Sequence, residues 1–564
     1  MSSLKLFRTT EFALSSFFSP ELERAALRPF WAIVLASIWI ATLCNLALWR
    51  HLGRLPELDN ARGVWFGIAF AVMIGAATSA LLSVLAWRWT LKPAITLLLL
   101  AGAFGTYFML SYGVVIDTPM MLNVLQTNPG EVGDLLSWRM LGYVLVLALL
   151  PTVWLWRKPL KRLGVGRQLL SNTIVFIASC VVLVGIAAIS FKDLSSVMRN
   201  HTQVRYLINP LNSFYALGDI AAKPLERNDT VLLPLGEDAR LGASYTPQTK
   251  PPLLLLVLGE TGRSGNFGLN GYARDTTPEL ARENVVSQRD AWSCGTSTAT
   301  SVPCMFSDLG RTKFEARKVN HENLLDVLQH AGMAVLWIDN QAGCKGVCDR
   351  VPHVDTSALK VPGLCKDGEC FDGVMLDNIN ERIAALPAAE RAKGVVLVMH
   401  QMGSHGPAYY KRSPAAYKKF MPECTTNNLQ DCDRTQLVNA YDNTVLYTDH
   451  FLASCIEWLK TQEPQYSPAM IYVADHGESL GENNLYLHGL PYSIAPDVQK
   501  HVPWITWLSP SFEQRTKITT ACLKQHLDAH VSQDNFFHSI LGLLDVKTSV
   551  YQRSMDFYAD CAKS

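Results

Sequence analysis

Five long apolar stretches occupy the first third of the sequence. They cover about residues 30–49, 64–87, 94–115, 140–156 and 173–191, with polar residues between them. Most approach the roughly 20 residues that a helix needs to cross a hydrocarbon layer of about 30 Å. One such stretch alone would also fit a buried helix of a soluble protein. Five in series instead predict a five-helix transmembrane domain over residues 1–192.

The apolar runs become shorter after residue 250. Runs of strand length recur at 253–258, 334–338, 395–399 and 470–474, with helix-length segments between them. Short apolar strands that alternate with helices predict a mainly parallel sheet that is covered on both faces. The sequence thus indicates a soluble α/β domain over residues 251–564.

Residues 193–250 separate these two regions. Their first part is amphipathic, with apolar positions such as Leu207, Leu211 and Phe214, and a polar run from Thr246 to Pro252 follows. We predict a bridging amphipathic segment and then a linker. The amphipathic part fits either the membrane surface or packing against the soluble domain, and both interpretations stay open.

The charge composition agrees with a protein that lies partly in a membrane. Only 18% of the 564 residues are charged, and the formal net charge is +1. Soluble proteins average about 25%, and binding to nucleic acid through bulk charge would need a clear positive excess. Loops at one end of the spans hold eleven Lys and Arg residues, against four in the alternate loops. Because the Lys- and Arg-rich side faces the cytoplasm, we expect the chain after about residue 192 to lie outside it.

Cysteine usage points to the same location. Eleven of the 13 cysteines lie beyond the predicted spans. In an oxidising compartment, four close pairs predict local disulfides: Cys294/Cys304, Cys344/Cys348, Cys365/Cys370 and Cys424/Cys432. Cys522 and Cys561 are a candidate fifth pair, which leaves Cys455 unpaired. Structural zinc is the alternative at Cys344 and Cys348, because their spacing also suits metal ligands.

Carboxylate and imidazole side chains follow the ends of three predicted strands. They are Glu260 after the first strand, His400 and His405 after the third, and Asp475, His476, Glu478 and His488 after the fourth. Ligands of parallel sheets bind beyond these strand ends, and carboxylate with imidazole suits Zn²⁺ better than Mg²⁺ or Ca²⁺. Residues 296–301 supply hydroxyl groups, one of which would become a nucleophile in a metal's first shell. If Thr298 begins a helix, its N-terminus also attracts an anion, so these parts predict attack on a phosphorus centre.

Taken in order, the motifs at these positions are specific. They read Gly259-Glu260-Thr261, Cys294-Gly295-Thr296-Ser297-Thr298, Ser301-Val302-Pro303-Cys304-Met305-Phe306-Ser307, Gly403-Ser404-His405-Gly406-Pro407 and Asp475-His476-Gly477-Glu478-Ser479-Leu480-Gly481-Glu482-Asn483. Over essentially its full length, the chain resembles the bacterial phosphoethanolamine transferases that modify lipid A, a family that includes the mobile colistin-resistance enzymes. The resemblance implies an alkaline-phosphatase-like (sulfatase-like) fold for the soluble domain.

The resemblance also implies site residues. Thr298 would be the nucleophile, and the zinc ligands would be Glu260, Thr298, Asp475 and His476. His405 and His488 would bind the substrate phosphate or a second zinc. His400 and Glu478 would lie near them. Lys345 would contact the phosphate or its leaving group. The family often has a serine three residues before this lysine, where this sequence has Ala342, so one substrate hydrogen bond is expected to be missing or replaced.

The loop between the third and fourth spans carries a second signature. Asn123, Thr127 and Glu131 are four residues apart, and a helical start would place the first two on one face. Pro129 and Gly130 then predict a turn. The resemblance places an ethanolamine headgroup on the three positions, with Glu131 paired with its ammonium. From the residues alone, a capped surface loop is the alternative.

The implied reaction is transfer of phosphoethanolamine from phosphatidylethanolamine to a lipid A phosphate, through a zinc-bound phospho-threonine. The implied cofactor is Zn²⁺, one ion or two. We expect a monomeric, multi-pass protein of the bacterial inner membrane with its catalytic domain in the periplasm and no nucleic-acid partner. Because an added ethanolamine lowers the negative charge of the surface, polymyxins and other cationic peptides should bind it less well.

Several other functions share parts of this pattern. The acceptor could instead be a core-sugar heptose or a protein. A phosphoglycerol transferase has a related soluble domain but lacks this cysteine framework, and an arylsulfatase needs a Cys/Ser-x-Pro-x-Arg signature that neither Cys294 nor Cys304 begins. A membrane sensor is the non-enzyme alternative, and it would not need Thr298. A transporter is disfavoured because the spans hold almost no ionisable groups.

Overall fold

The structure is a computed structural model that describes residues 26–127, 129–226, 228–366 and 368–562. The chain forms two compact units. The first unit contains the described residues up to Ser111, together with Val115–Asp117 and Ser137–Leu217. The second contains Tyr112–Val114, Thr118–Leu136 and Gly218–Ser564. Most of the loop between the third and fourth spans, Thr118–Leu136, therefore belongs to the second unit, while the boundaries predicted at 192 and 250 remain predictions.

The first unit is helical. Within the described residues, five helices are long and apolar enough to cross a membrane: Pro29–Leu52, Ala61–Val84, Leu91–Tyr112, Trp138–Arg157 and Val165–Ile189. They have 20 to 25 residues and mean hydropathies of 1.6 to 2.4, which confirms the predicted spans. Shorter helices follow at Phe191–Asn200, Gln203–Tyr206 and Leu211–Glu226.

The fifth helix begins earlier than its apolar stretch. Its first turns contain Gln168 and Asn172, which are buried. The Gln168 amide donates to Asn172 Oδ1 at 2.7 Å, and the Asn172 amide donates to the Ala86 carbonyl at 3.2 Å. Because these polar groups bond within the unit, the helix extends to Val165 instead of starting at about residue 173.

The core of the second unit is a seven-stranded sheet. In chain order its strands are β1 (Pro252–Gly259), β2 (Val285–Gln288), β3 (Ala334–Asp339), β4 (His353–Asp355), β5 (Val395–His400), β6 (Ser467–Ala474) and β7 (Trp504–Leu508). Their order in space is β2-β7-β6-β1-β5-β3-β4. Strand β7 runs antiparallel to β2 and β6, and the other pairs are parallel. This confirms the predicted α/β soluble domain.

The register of the sheet brings the chemical residues together. Strand β1 lies between β5 and β6, with Gly259 opposite Ala474 and Leu258 opposite His400. The residues that follow β1 and β6, Glu260 and Asp475, therefore leave the sheet side by side. This is the edge at which parallel sheets bind ligands.

Helices and short strand pairs surround the sheet. The helices are Thr118–Gln126, Pro129–Leu135, Thr298–Met305, Gly310–Glu315, Leu324–His330, Ile379–Ala384, Ala388–Arg391, Arg434–Gln462, Pro510–Thr516, Thr520–Leu523 and Phe536–Leu543. The strand pairs are Asn228–Leu233 with Val319–His321, Arg240–Leu241 with Val546–Lys547, Ala291–Trp292 with Val531–Ser532, Cys365–Lys366 with Glu369–Cys370, and Ser479–Leu480 with Tyr486–Leu487.

The predicted disulfides are confirmed. The bonded pairs are Cys294–Cys304, Cys344–Cys348, Cys365–Cys370, Cys424–Cys432 and Cys522–Cys561. Cys455 is buried and unbonded, as expected. Because the sulfurs of Cys344 and Cys348 bond each other, this pair is not a zinc-thiolate site.

Candidate active site

Four buried side chains meet beyond the ends of β1 and β6. Glu260 follows β1, Asp475 and His476 follow β6, and Thr298 is the first residue of the helix Thr298–Met305. The Thr298 hydroxyl donates to Glu260 Oε2 at 2.9 Å and lies 3.4 Å from His476 Nε2. The same nitrogen lies 3.4 Å from Glu260 Oε1 and 3.3 Å from Asp475 Oδ2. The structure thus brings the predicted nucleophile and metal ligands to one point.

The hydrogen bonds leave particular lone pairs open at this point. Asp475 Oδ1 accepts the backbone N–H groups of Thr261 at 3.0 Å and His476 at 2.7 Å. Its other oxygen, Oδ2, accepts no hydrogen bond from the described residues although it is buried. His476 Nδ1 lies 2.9 Å from the Gly477 carbonyl, so Nδ1 carries a proton and, in the neutral ring, Nε2 presents its lone pair to the cluster.

These lone pairs fit a divalent cation. Ligand atoms of Glu260, Asp475 and His476 all lie within 4.8 Å of one another. Burial opposes a charged imidazole, yet the nearby carboxylates of Asp475 and Glu260 raise the pKa of His476. The cluster therefore favours positive charge at this position. Two carboxylates and an imidazole are a donor set that zinc accepts.

Thr261 and two glutamines that the sequence motifs do not include, Gln341 and Gln533, help to hold the cluster in place. Glu260 accepts from the Thr261 hydroxyl at 2.6 Å and from the Gln341 amide at 3.2 Å. Gln341 comes two residues after the end of β3, so its position at a strand end is a signal that the sequence does contain. Gln533 donates to the carbonyls of Ala474 and Asp475, both at 2.8 Å. No sequence signal marked Gln533, because a single uncharged residue in a short 3-10 turn belongs to no motif.

Gly403 is required where the β5 loop passes Glu260. Its φ is +51°, in the region that favours glycine. A Cβ at this position would lie 2.7 Å from the Glu260 carbonyl oxygen. The next residue, Ser404, donates its N–H to that same oxygen at 3.1 Å. The backbone of this loop thus fixes the backbone of a candidate metal ligand.

Two of the predicted substrate-binding residues lie beside the cluster. The His488 ring centroid is 4.2 Å from that of His476 and 6.0 Å from that of His405. Burial lowers the pKa of both His405 and His488 to about 3, so both rings are neutral and each has a lone pair available for a metal or a hydrogen-bond donor. His488 Nδ1 lies 3.3 Å from Glu478 Oε2. The roles of these residues stay predictions.

His400 and Lys345 bond to residues outside the cluster around Thr298. His400 Nδ1 pairs with Asp339 Oδ2 at 3.1 Å at the ends of the neighbouring strands β5 and β3. Lys345 has a φ of +53°, and its ammonium donates to the Ala342 carbonyl at 2.9 Å. Its predicted contact with a phosphate stays a prediction.

The loop between the third and fourth spans reaches the site. Its helix Thr118–Gln126 packs against the helix Thr298–Met305. Met120 lies against Gly489, the residue after His488. Asn123 and Thr127 are one turn apart, and the Thr127 hydroxyl donates to the Asn123 carbonyl at 2.8 Å. The side chain of Glu131 lies outside the described residues.

Known proteins share this two-part layout. Residues 74–225 match the family described as phosphoethanolamine transferase EptA/EptB, and residues 252–546 match the sulfatase family. The phosphoethanolamine transferase EptA of Salmonella typhimurium is 39% identical over 554 residues, which cover 96% of this chain and 98% of that protein. The chain belongs to the phosphoethanolamine transferase family.

Further relatives agree with this family. The phosphatidylethanolamine transferase Mcr-1 of Escherichia coli is 35% identical over 538 residues, which cover 93% of this transferase and 96% of the relative. The solved integral membrane protein lipooligosaccharide phosphoethanolamine transferase A of Neisseria meningitidis matches with a TM-score of 0.88 and 35% identity. That match covers 94% of this chain and 99% of the solved one. This phosphoethanolamine transferase is therefore a multi-pass membrane protein with a sulfatase-like soluble domain.

Proposed function

We propose that this transferase moves phosphoethanolamine from phosphatidylethanolamine to a phosphate of lipid A, with Thr298 as the covalent carrier. One observation supports this above the others. The buried Thr298 hydroxyl donates to Glu260 Oε2 at 2.9 Å and lies at the N-terminus of a helix, where backbone N–H groups attract an anion. A hydroxyl beside a base and an anion-binding helix end has the parts of a phosphoryl-transfer nucleophile.

The first step attaches phosphoethanolamine to the protein. The Thr298 proton moves to Glu260 Oε2 as Oγ1 attacks the phosphorus of the donor lipid. A new O–P bond forms, the bond to diacylglycerol breaks, and the leaving oxygen takes up a proton from water. When bound to Glu260, Thr298, Asp475 and His476, zinc would lower the pKa of the hydroxyl and offset charge on the phosphoryl oxygens.

The second step releases the group to the acceptor. An oxygen of the lipid A phosphate attacks the phosphorus of phosphoethanolamine-threonine, and the Thr298–phosphorus bond breaks. Glu260 returns the proton to Thr298 Oγ1. Neutral His405 and His488 would orient the transferred group, or bind a second zinc, since burial keeps both rings uncharged. The product surface carries less negative charge, which accounts for the proposed resistance to polymyxins.

We further propose that the second unit works in the periplasm, with the spans in the bacterial inner membrane. The Lys and Arg asymmetry of the loops and five disulfides in the second unit both support an oxidising exterior location. Donor and acceptor are then both membrane lipids. Asn123, Thr127 and Glu131 would hold the ethanolamine group, the enzyme would act as a monomer, and nucleic acid has no role.

The test is mass spectrometry of lipid A from bacteria that express the wild type, Thr298→Ala or Thr300→Ala. Thr300 is a matched control because its hydroxyl lies in the same helix and contacts Ser297 Oγ at 3.3 Å. We expect a phosphoethanolamine mass increment with the wild type and with Thr300→Ala, and none with Thr298→Ala. An increment with Thr298→Ala would contradict the carrier role. No increment with any form would direct the search to a core-sugar heptose or a protein as acceptor.

A further inference from the structure

Both carboxylate oxygens and the backbone carbonyl of Asp134 accept hydrogen bonds from other parts of the second unit. Asp134 lies near the end of the helix Pro129–Leu135, in the loop between the third and fourth spans, and its side chain is 5% exposed. One carboxylate oxygen accepts from Arg412 Nη2 at 2.9 Å, and the other accepts from Lys411 Nζ. Its backbone carbonyl accepts from the Asn427 amide at 2.6 Å. A surface loop would not need so many partners at one residue.

Arg412 joins Asp134 to two other parts of the unit. Its side chain is 3% exposed, and each edge of the guanidinium donates to a different group. Besides Asp134, Nη1 donates to Glu369 Oε2 at 2.7 Å and Nε donates to the His405 carbonyl at 3.1 Å. Glu369 lies in the hairpin that the Cys365–Cys370 disulfide closes.

The His405 backbone leads directly to the candidate active site. Ser404, the preceding residue, donates its N–H to the Glu260 carbonyl at 3.1 Å. Arg412 therefore contacts the same short loop that fixes Glu260. On its other side it contacts the helix that contains Glu131, one turn before Asp134. The guanidinium thus lies between the predicted headgroup loop and the cluster around Thr298.

A cavity of about 600 Å³ borders this pair. Its lining includes Asp134, Glu369, Lys411 and Arg412, with Gly403 on the side of Glu260. The charged groups among them already pair with one another. The pair is therefore better placed to set the shape of this region than to bind an anion itself.

We propose that Asp134 and Arg412 form a positioning pair that holds the headgroup loop, residues 118–136, at a fixed place beside the Thr298 site. The inference rests on the proposed function, because it assigns the pair to binding of the donor lipid. Neither residue touches the reacting atoms. Removal of one partner would take away one of the two counter-charges of the other, leaving Lys411 for Asp134 or Glu369 for Arg412, and such a loss is costly in a buried network.

The test uses the full chain in detergent and two variants, Asp134→Asn and Arg412→Lys. The rate of diacylglycerol release is measured as the mole fraction of phosphatidylethanolamine in the micelles is varied. We expect KM for the lipid to rise about tenfold in both variants, with kcat changed much less. Hydrogen–deuterium exchange of the same samples should become faster in residues 118–136 and stay unchanged in β1 and β6.

Asp326→Asn is the matched control. Asp326 is also 5% exposed and pairs with Arg350 at 2.6 Å, in the helix Leu324–His330 of the same unit. This variant should lose thermal stability without a change in KM or in exchange of residues 118–136. Arg412→Lys keeps the charge, so it serves as the second variant if Asp134→Asn does not fold.

The outcomes separate this inference from the proposed function. If Asp134→Asn keeps the wild-type KM and exchange, or loses only thermal stability as the control does, the positioning role is wrong. If the wild type itself releases no diacylglycerol, the proposed donor is wrong. In that case the exchange of residues 118–136 still decides whether the pair holds the loop.

Discussion

In the first unit, several buried polar side chains bond to main-chain carbonyls elsewhere in the unit, whereas in the second unit several buried side chains converge on one point beyond the sheet. The Asn209 amide donates to the carbonyls of Cys44 and Gly102, both at 2.7 Å. These groups are neutral, and their partners lie within the unit. In the second unit, Glu260, Asp475 and His476 bring ligand atoms within 4.8 Å of one another, and Asp475 Oδ2 is left without a hydrogen bond from the described residues.

The difference shows how buried polarity can be assigned a role. A buried donor that is bonded within its unit stabilises the fold, because the alternative is an unsatisfied group in an apolar region. A buried acceptor that stays open costs free energy unless a ligand completes it. Asn209 Oδ1 is also open among the described residues, but it is neutral, and the amide N–H groups of Asn209 bond to Cys44 and Gly102, which points to helix packing. The open oxygen of Asp475 is charged and lies within 4.8 Å of ligand atoms of Glu260 and His476, so it is placed to bind a cation.

The largest expected effect comes from replacing the Asp475 carboxylate, whose Oδ2 accepts no hydrogen bond from the described residues, by an amide. In Asp475→Asn, Oδ1 can still accept from Thr261 and His476, but the group at Oδ2 becomes an amide that cannot bind a cation. We expect zinc affinity to fall by more than about 100-fold, since even the loss of an outer-shell partner costs 10- to 100-fold. Transfer should fall by about 10³-fold. Elemental analysis of the purified full chain and the rate of diacylglycerol release measure the two effects.

Asp449→Asn is the control for this experiment. Asp449 is another buried acid of the second unit, but both of its oxygens already accept backbone N–H groups, from Glu279 at 2.8 Å and Leu280 at 2.9 Å. Its replacement should leave the zinc content unchanged. Equal zinc loss in both variants would mean that general destabilisation, and not the open oxygen, determines metal content.

The next largest effect is the pH dependence of folding stability that Asp449 causes. Burial raises the pKa of Asp449 from 3.8 to about 7, although its backbone hydrogen bonds work in the other direction. Since the folded state binds the proton more tightly than the unfolded state, stability should fall as pH rises from about 4 to about 7 and change little above that. The loss is at most roughly 4 kcal/mol for a shift of this size.

Thermal unfolding of the wild type and Asp449→Asn in detergent, between about pH 4 and pH 8, measures this effect. The variant should lack this part of the decline, so the Tm difference should change across the window in favour of the variant. Parallel Tm curves for the two proteins would show that folding does not raise the pKa of Asp449. The Asp449→Asn variant would then no longer separate the effect of burial on stability from the effect of the lost hydrogen bonds.

The site could be predicted from the sequence because the strands β1 and β6 each end in a change from apolar to charged residues. Glu260, Asp475 and His476 follow strands whose apolar runs are plain, and neighbouring parallel strands share one ligand edge. The choice of Thr298 among the hydroxyls of residues 296–301 depended on the family resemblance. The five disulfides include four with short separations, which made their pairing readable.

Long-range pairs could not be found in this way. Asp134 and Arg412 are 278 residues apart. With 49 acidic and 50 basic residues in the chain, composition cannot choose such a pair. Gln533 carries no charge or motif, and its bonds to Ala474 and Asp475 depend on how the last helices fold back onto the sheet. The early start of the fifth span was missed for the same reason, since the partner of Asn172 is the distant Ala86 carbonyl.

The smallest expected effect is in the first unit. Asn209→Ala removes hydrogen bonds to Cys44 and Gly102, and polar contacts within a membrane bundle are worth about 1–2 kcal/mol at most. We expect a lower Tm in detergent with an unchanged transfer rate per folded molecule. Thr42→Ala is the control, because that exposed hydroxyl bonds only within its own helix turn, to Ile38 at 2.7 Å and Trp39 at 3.5 Å. If Asn209→Ala instead slowed transfer at an unchanged Tm, buried polarity in the first unit would serve catalysis as well as packing.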